Sequence, residues 1–171
     1  FGPSSSVFRH ARSASARRPA RLSSQPDARW ASAFNGSSAS VRSIDGLACF
    51  ATVVDLPEAP DLAVIVTPPD TVPGLVTELG ARGTRAVVVI SAGLTQDNGL
   101  RQAMLDAARP HLLRVIGPNT LGLIVPPVAL DASFAHRMPA KGRLALLSQS
   151  GAIVASLIDW AAARGIGFSH V

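Results

Sequence analysis

Two short polar loops stand out in this sequence as places where a ligand could bind. In the first, the motif Ser-Gln-Ser-Gly at 148–151 follows an apolar run at 144–147 and precedes a segment rich in Ala, Leu and Ile. This order predicts a buried strand that leads through a short link into a helix. Free backbone N–H groups and the helix dipole favour an anion, usually a phosphate, at such a helix start. The second loop is Gly-Pro-Asn at 117–119, and we expect the chemistry to lie around both.

The familiar motifs of catalysis are missing from the sequence. A nucleophilic serine in a G-x-S-x-G elbow is not supported, because neither Ser148 nor Ser150 has a glycine two positions before or after it. Neither the dinucleotide fingerprint G-x-G-x-x-G nor the phosphate-loop motif G-x-x-x-x-G-K-[ST] occurs. The histidines lack the spacing of metal ligands; they are His10, His111, His136 and His170. The sequence therefore indicates no catalytic residue and no metal site, and Cys49 is expected to be a small apolar side chain.

Three apolar runs alternate with two segments of helical pattern between residues 62 and 116. The runs lie at 62–66, 86–90 and 112–116, and each has the length of a strand that is buried on both faces. The helices are predicted from Asp70, a candidate N-cap, to residues 80–83, and from about residue 98 to residue 108. The alternation and the short links predict βαβ units, so the fold class is α/β with a Rossmann-like parallel sheet.

The loops that follow these strands are expected to converge. In parallel α/β sheets, ligands bind beyond the carboxyl ends of the strands, which lie at one edge of the sheet. The loops are at 67–70, 91–95 and 117–120. They are small, polar or rich in proline, and they carry no charged catalytic pair. This composition describes a binding edge better than a reaction centre.

The segments around this repeat are less regular. Residues 49–54 are expected to form a short edge strand, and residues 126–139 an irregular connection that ends one domain near residue 140. A new strand–helix–strand unit begins at residue 141, and its roughly 30 residues are too few for a stable core of their own. The predicted domains are therefore 43–140 and 141–171, with the second one incomplete.

The net charge of +5 is concentrated in the first 42 residues. They contain seven arginines and one aspartate, whereas the rest of the chain carries nine basic and ten acidic side chains. A nearly neutral folded part argues against nucleic-acid binding. The single cysteine favours a reducing compartment, and no apolar run reaches the roughly 18 residues of a membrane helix. We therefore expect a soluble, cytoplasmic protein.

Residues 1–42 form a basic tail dominated by Ser, Ala, Arg and Pro, with neither a strand period nor a helix period. Such a segment buries too little apolar surface to offset the entropy of ordering it. Three interpretations are open. The tail is a disordered basic arm, an Arg- and Ser-rich transit peptide in a chain that starts at Phe1, or out-of-frame sequence from a GC-rich gene.

The ordered set of motifs resembles a known family, although each motif alone is a weak signal. Apolar strands are followed in turn by Thr-Pro-Pro at 67–69, Ile-Ser-Ala-Gly at 90–93 and Ile-Gly-Pro-Asn at 116–119, and later by Lys-Gly-Arg at 141–143 and Ser-Gln-Ser-Gly-Ala at 148–152. After the tail, the chain is similar to the CoA-binding domain and the start of the next, flavodoxin-like domain of NDP-forming acyl-CoA synthetases. That superfamily includes the succinyl-CoA synthetase α subunit and ADP-forming acetyl-CoA synthetase.

The resemblance implies coenzyme A as the cofactor and specific residues around it. The positions that match CoA contacts are Pro68, Pro69, Ser91, Ala92 and Gly93, with Asn119 in a loop close to the thiol. Ser150 and Gly151 match the start of a helix whose backbone N–H groups stabilise a phosphohistidine. The family reaction converts acyl-CoA, phosphate and NDP to acid, CoA and NTP through an acyl phosphate and a phosphorylated histidine.

The resemblance also implies parts that this sequence lacks. The family's first domain begins with a strand and a Gly-rich loop that cradles CoA phosphates, and neither is visible in residues 1–42. This is why a frame or joining error is the favoured interpretation of the tail. The phosphorylated histidine would lie beyond Val171, and His170 is excluded because it lies in a predicted strand. NDP or NTP, with Mg, would bind to an absent ATP-grasp domain or subunit, so we expect weak CoA affinity and no turnover by this chain alone.

Two other classes of function stay open. One is a CoA-binding module without catalysis of its own, either a CoA or nucleotide sensor or the CoA-binding part of a protein lysine acetyltransferase. The other is a Rossmann-type oxidoreductase, although the missing Gly-rich fingerprint counts against it.

Overall fold

The computed structural model describes residues 6–11, 30–35, 43–44 and 47–171, with side chains described from residue 49. The strands in these ranges are β1 Ser6–Ala11, β2 Trp30–Asn35, β3 Ser43–Ile44, β4 Leu47–Phe50, β5 Leu62–Val66, β6 Ala86–Val89, β7 Arg114–Ile116, β8 Gly122–Val125, β9 Leu130–Ser133, β10 Lys141–Ala145 and β11 Phe168–His170. The α-helices are α1 Val72–Ala81, α2 Leu100–Ala108 and α3 Gly151–Ala162. Short 3-10 turns lie at Pro69–Thr71, Arg109–His111 and Pro126–Val128.

A seven-stranded sheet runs through the first part of the described chain, in the order β3-β4-β1-β2-β5-β6-β7. Strands β2, β5, β6 and β7 are parallel to one another, while β1 is antiparallel to both β2 and β4. Helix α1 connects β5 to β6, and α2 connects β6 to β7. The α/β class with a parallel sheet, predicted from the alternation of apolar runs and helical segments, is confirmed.

Two strands lie within residues 1–42, where the sequence pattern predicts none. Strand β2 pairs in parallel with β5, from Trp30 opposite Leu62 to Phe34 opposite Val66, and β1 pairs with β2. The expectation of a tail without strands is wrong for these two segments, because sheet pairing uses backbone N–H and C=O groups and does not require a hydrophobic period. The other residues of 1–42 lie outside the described part of the chain, so the interpretations of the tail stay predictions.

The main core lies between the parallel strands and helices α1 and α2. Ile65, Val87 and Val89 contribute fully buried side chains from β5 and β6. Helix α1 presents four buried apolar residues at helical spacing, namely Val72, Leu75, Val76 and Leu79. Met104 and Ala108 complete this core from α2. Because burying one such large apolar side chain contributes roughly 1.5–3 kcal/mol, this layer holds the carboxyl edge of the sheet in place.

Several element boundaries differ from the sequence pattern; for example, β7 begins at Arg114 and not at residue 112, because Leu112 ends a 3-10 turn with a φ of +51° and is 85% exposed. Asp70 is not the N-cap of α1, because Pro69 starts a 3-10 turn that delays the helix, and the N-cap is Thr71. Pro73 lies in the first turn of α1, as predicted. Strand β4 ends at Phe50 instead of continuing to residue 54. The chain turns there, since the Thr52 N–H and hydroxyl both donate to the Asp55 carboxylate, at 3.2 and 2.8 Å.

Gly74 lies inside α1, and no heavy atom lies within 4 Å of the position that a Cβ would take. Gly74→Ala is therefore expected to raise the free energy of unfolding by about 0.5–1 kcal/mol, because alanine lowers the entropy of the unfolded chain. Urea unfolding measures the change. Gly80→Ala is the matched comparison in the same helix. Its Cβ would lie 2.6 Å from the His111 ring, so the free energy of unfolding of this variant should not rise. Destabilisation by Gly74→Ala would contradict the open space at this position.

An antiparallel hairpin of β8 and β9 occupies part of the connection that the sequence predicts to be irregular. Gly122 pairs with Ser133, and Val125 pairs with Leu130. The prediction is wrong here because Pro126 lies in the 3-10 turn between the two strands, where its missing N–H breaks no pairing. The hairpin buries Ile124 and so provides a surface for the end of the chain.

The last unit, β10–α3–β11, has the parallel strand–helix–strand order that the sequence predicts. It packs on the β8–β9 hairpin. The N–H of Ile124 donates to the carbonyl of Val171, and the N–H of Val171 donates to the carbonyl of Ile124, both at 2.8 Å. One buried cluster joins the two parts and contains Ile124, Ala135, Val154 and Ile158. The unit therefore shares a core with the hairpin.

The burial predicted for the apolar run 144–147 is wrong. Leu144 is 55% exposed and Leu147 is fully exposed, whereas Leu146 packs against the shared cluster. Leu144 and Leu146 would share a face in a regular strand, but the β10–β11 pairing shifts register at Leu144 and β10 ends at Ala145, so the regular alternation of side chains does not continue through this run. An apolar run of strand length therefore overstates burial when the strand ends within it.

Candidate functional site

The loops that follow β5, β6 and β7 meet at one edge of the sheet, as the sequence predicts. The Ser91 hydroxyl donates to the carbonyl of Thr67 at 2.6 Å, and the Asn119 N–H donates to the carbonyl of Ser91 at 3.0 Å. Ser91 is buried, so its side chain ties the loops together and does not face solvent. The next residues, Ala92 and Gly93, are exposed and present the backbone of the second loop.

Local hydrogen bonds shape the second loop beside the two prolines. Gly93 has a φ of +87°, and a Cβ at this position would lie 3.2 Å from Cγ of Pro69. The Asn98 side-chain amide donates to the carbonyl of Gly93 at 2.7 Å, and its oxygen accepts from the N–H of Thr95 at 3.1 Å. Pro68 and Pro69 are half-buried next to this loop. A glycine here keeps the loop close to the proline ring and leaves its outer side free of a side chain.

The third loop turns through two residues with positive φ. Gly117 has a φ of +104° and Asn119 a φ of +56°. Asparagine adopts the left-handed region more readily than most residues with a side chain, which explains its place in this turn. The Asn119 N–H is held by the Ser91 carbonyl, so the exposed Asn119 side chain is carried by a fixed backbone.

The start of α3 has the geometry of an anion site. Ser150 is the N-cap, and its hydroxyl accepts from the N–H of Ile153 at 3.4 Å. The Ser150 N–H in turn donates to the Ser148 hydroxyl at 3.1 Å. Gly151 and Ala152 are the first two residues of the helix, and their N–H groups precede the first intrahelical hydrogen bond. The helix dipole adds partial positive charge at the same place.

A cavity of about 710 Å³ lies between the third loop and the start of α3. Its walls are formed by residues 94–96, 116–124 and 146–149, together with Arg101, Gly151, Val154 and Val171. Of the site residues predicted from the sequence, Asn119 and Gly151 line this cavity. The others do not, namely Pro68, Pro69, Ser91, Ala92, Gly93 and Ser150. The structure therefore brings the two loops together, and it places most of the matched CoA positions outside the cavity.

The sequence analysis does not single out Gln96 or Arg101, which also line the cavity. Of the lining residues in the described part of the chain, Arg101 is the one with a Lys, Arg, Asp or Glu side chain. It lies in the first turn of α2. The sequence does contain a signal for Arg101. A basic residue at the start of a helix is unusual, because the positive end of the helix dipole disfavours a cation there.

No group of three or more His, Cys, Asp and Glu side chains suited to a metal ion occurs within the described ranges. In the same ranges, the helices are too short or too polar to cross a lipid bilayer.

The parallel sheet and the loops at its carboxyl edge define a Rossmann-like ligand-binding protein, and the neighbouring helix start has a geometry suited to an anion. Residues 37–126 match the family described as CoA binding domain, and residues 141–171 match the family described as succinyl-CoA ligase like flavodoxin domain. Because the first match covers more than half of the chain, the chain belongs to the CoA binding domain family.

Known proteins similar to this chain include ligases named as ADP-forming. The chain is 39% identical over 134 residues to acetate–CoA ligase [ADP-forming] I of Archaeoglobus fulgidus; this covers 76% of the chain and 20% of that protein. It is 35% identical to the alpha subunit of acetate–CoA ligase [ADP-forming] I of Pyrococcus furiosus, covering 71% of the chain and 27% of the subunit. Acetyl-coenzyme A synthetase 1 of Ca. Korarchaeum cryptofilum, solved in complex with phosphate and ADP, superposes with a TM-score of 0.70 and 33% identity, over 76% of this chain and 28% of that one.

Proposed function

We propose that this chain contributes CoA binding and a phosphate-stabilising helix to an ADP-forming acyl-CoA ligase. The reaction would convert acyl-CoA, phosphate and NDP to acid, CoA and NTP through an acyl phosphate and a phosphohistidine. The observation that carries this proposal is the cavity between the loop 117–119 and α3. It brings together the segment matched to the CoA binding domain and the segment matched to the succinyl-CoA ligase like domain.

On the CoA side, the carboxyl edge of the sheet offers a backbone surface. CoA would lie along the exposed backbone of Ala92 and Gly93, beside Pro68 and Pro69. Gly93 suits this role, because its outer side carries no side chain that would block the ligand. Ser91 would act as a positioning residue, since its hydroxyl is engaged by the carbonyl of Thr67.

Asn119 lies between the proposed CoA-binding loops at the edge of the sheet and the proposed phosphate site at the start of α3. It lines the cavity and is held by the Ser91 carbonyl, so its amide would lie where the thiol end of CoA enters. When bound, CoA would carry the acyl group as a thioester; in the direction that forms NTP, phosphate takes that acyl group and the CoA thiol is the leaving group. The residues of this chain would orient that thiol and restrict its access to water.

On the phosphate side, the first turn of α3 would hold the anion. The Ser150 hydroxyl occupies the N–H of Ile153, which leaves the N–H groups of Gly151 and Ala152 for phosphate oxygens. Hydrogen bonds from backbone N–H groups to a charged oxygen are about twice as strong as those to a neutral one. These donors need no proton transfer, so they would stabilise the phosphate on a histidine that reaches the cavity.

The remaining parts of the reaction would come from other segments. NDP, its Mg ion and the phosphorylated histidine are assigned to residues outside this sequence, including an ATP-grasp domain or subunit. The Pyrococcus furiosus relative is named as an alpha subunit, which supports a second subunit as partner. This chain spans 20% of the Archaeoglobus fulgidus relative and 27% of the Pyrococcus furiosus subunit.

Gly151→Pro tests the phosphate side, since it removes one N–H donor while the helix start tolerates proline. Ser150 has φ −104° and ψ 108°, which suits a residue before proline, and proline is favoured at the first helical position. Inorganic phosphate binding, followed by NMR shifts of backbone amides, is expected to weaken about 5- to 10-fold.

Gly151→Ala is the matched control for this substitution, because it keeps the N–H group and its Cβ would lie 3.7 Å from Cβ of Leu121. It should change phosphate binding less than about twofold. CoA-induced shifts in residues 91–95 should persist in both variants. Equal phosphate affinity of the proline and alanine variants would refute the assignment of phosphate to α3, and the lack of any CoA-induced shift in the unmodified chain would refute the CoA side.

A further inference from the structure

Arg101 differs from the other residues around the cavity. The lining contains Ser, Thr, Asn and Gln side chains and many apolar ones, but Arg101 is its one Lys, Arg, Asp or Glu residue. Among the described residues of the lining there is thus a cation but no Asp or Glu side chain to pair with it. In a site with this composition, the charge that fits best is an anion.

The position of Arg101 is set by the loop that precedes it. Its N–H donates to the carbonyl of Thr95 at 3.3 Å, and Asn98 holds Thr95 through two hydrogen bonds of 3.1 and 3.3 Å. Helix α2 begins after Gly99, which has a φ of +71° and no side chain to cap the helix. The Arg101 backbone is therefore fixed at the α2 side of the cavity while its side chain is exposed.

The local charges do not explain a cation at this position. The first turn of α2 has no acidic residue, and its N–H groups at Leu100 and Arg101 donate to the neutral oxygens of Asn98 and Thr95, so within this turn Arg101 has no acidic side chain beside it. Asp106, the acid of this helix, contacts Gln102 at 2.9 Å and Arg109 at 3.4 Å. An anion in the cavity would compensate the arginine charge and the dipole together.

We propose that Arg101 binds a phosphate group from the α2 side of the cavity. The planar guanidinium can donate two parallel hydrogen bonds to phosphate oxygens, which a lysine cannot do. The inference rests on the proposed function, which supplies two sources of this chemistry: a phosphate group of CoA, and the inorganic or acyl phosphate of the reaction. In either case Arg101 selects for phosphate-bearing ligands over their uncharged analogues.

The test compares Arg101→Gln, Arg101→Lys and Arg109→Gln in the 171-residue chain. Arg109 is a matched control, because it is the C-cap of α2, pairs with Asp106 and is not among the residues that line the cavity. Each variant is titrated with CoA, with pantetheine, which lacks phosphate, and with inorganic phosphate, using NMR shifts of backbone amides. The spectrum without ligand shows whether each variant keeps the fold.

Arg101→Gln is expected to weaken binding of the phosphate-bearing ligand about 10-fold, and Arg101→Lys less. Arg109→Gln and all pantetheine titrations should change less than about twofold. A loss confined to CoA identifies a CoA phosphate, and a loss confined to inorganic phosphate identifies the phosphate of the reaction.

Equal affinities of Arg101→Gln and Arg109→Gln for both ligands would overturn the inference. If the unmodified chain binds inorganic phosphate but not CoA, the CoA side of the proposed function fails. The phosphate titration of Arg101→Gln then decides the role of Arg101. If the unmodified chain binds neither ligand, both proposals are wrong.

Discussion

Gly117→Ala is expected to lower the free energy of unfolding by about 3 kcal/mol and to disrupt the third loop of the candidate site. Gly117 has a φ of +104°, a conformation that costs a residue with a Cβ roughly 1–2 kcal/mol. The added Cβ would also overlap the backbone carbonyl oxygen of Val89 in β6. Because that oxygen belongs to a central strand, the loop must move, and the hydrogen bond from Asn119 to Ser91 would be lost with it.

Gly83→Ala is the matched control for this prediction. Gly83 has a similar φ of +94°, but no heavy atom lies within 4 Å of its Cβ position. This variant should lower the free energy of unfolding only by the energy of placing a residue with a Cβ at positive φ, about 1–2 kcal/mol. Urea unfolding with an unchanged m-value measures both variants. If Gly83→Ala and Gly117→Ala lower the free energy of unfolding equally, the close approach of the added Cβ to Val89 does not contribute to the destabilisation.

Ile158→Ala is expected to destabilise the chain by about 3 kcal/mol, since it empties the centre of the cluster that joins α3 to the β8–β9 hairpin. Ile158 is 1% exposed, and its cluster includes Ile124 and Val154. Loss of this contact should loosen the pairing between Ile124 and Val171, so the exchange of both amide hydrogens should become faster. Since Val154 and Val171 also line the cavity, phosphate binding at α3 should weaken in parallel.

Ile153→Ala is the comparison for the same helix, because Ile153 is 54% exposed. It should cost less than about 1 kcal/mol and leave the Ile124 and Val171 amides protected. Chemical denaturation and hydrogen exchange of the two variants, side by side, measure the contribution of the shared core. If both variants lose the same stability, then α3 does not depend on the hairpin for its packing.

The His136–Asp159 contact adds little to this docking. His136 Nε2 lies 2.8 Å from Asp159 Oδ1, and Arg137 approaches the same oxygen at 3.6 Å. All three side chains are more than half exposed, and ion pairs at the surface contribute at most about 1 kcal/mol. The apolar cluster around Ile158 therefore dominates the attachment of α3 to the hairpin.

The sequence predicts those parts of the candidate site that depend on patterns of neighbouring residues. Apolar runs of strand length located β5 and β6, and the residues after them located the loops, because in βαβ units such loops fall at the same edge. The polar start of α3 was likewise predictable, since Ser150 precedes a helical segment. The role of Ser91 was not predictable, because a hydrogen bond to Thr67 depends on how two strands lie side by side.

The linear sequence predicts the parallel α/β class, three loops at one edge of the sheet and a helix start after Ser150. All of these depend on short apolar, glycine and proline patterns that act within a few residues. The folded chain alone establishes that β8 and β9 form a hairpin, that Leu147 is exposed and that Arg101 belongs to the cavity. These features depend on contacts between segments distant in sequence. The Gly117 loop and the start of α3 come together because the hairpin and α3 share one core.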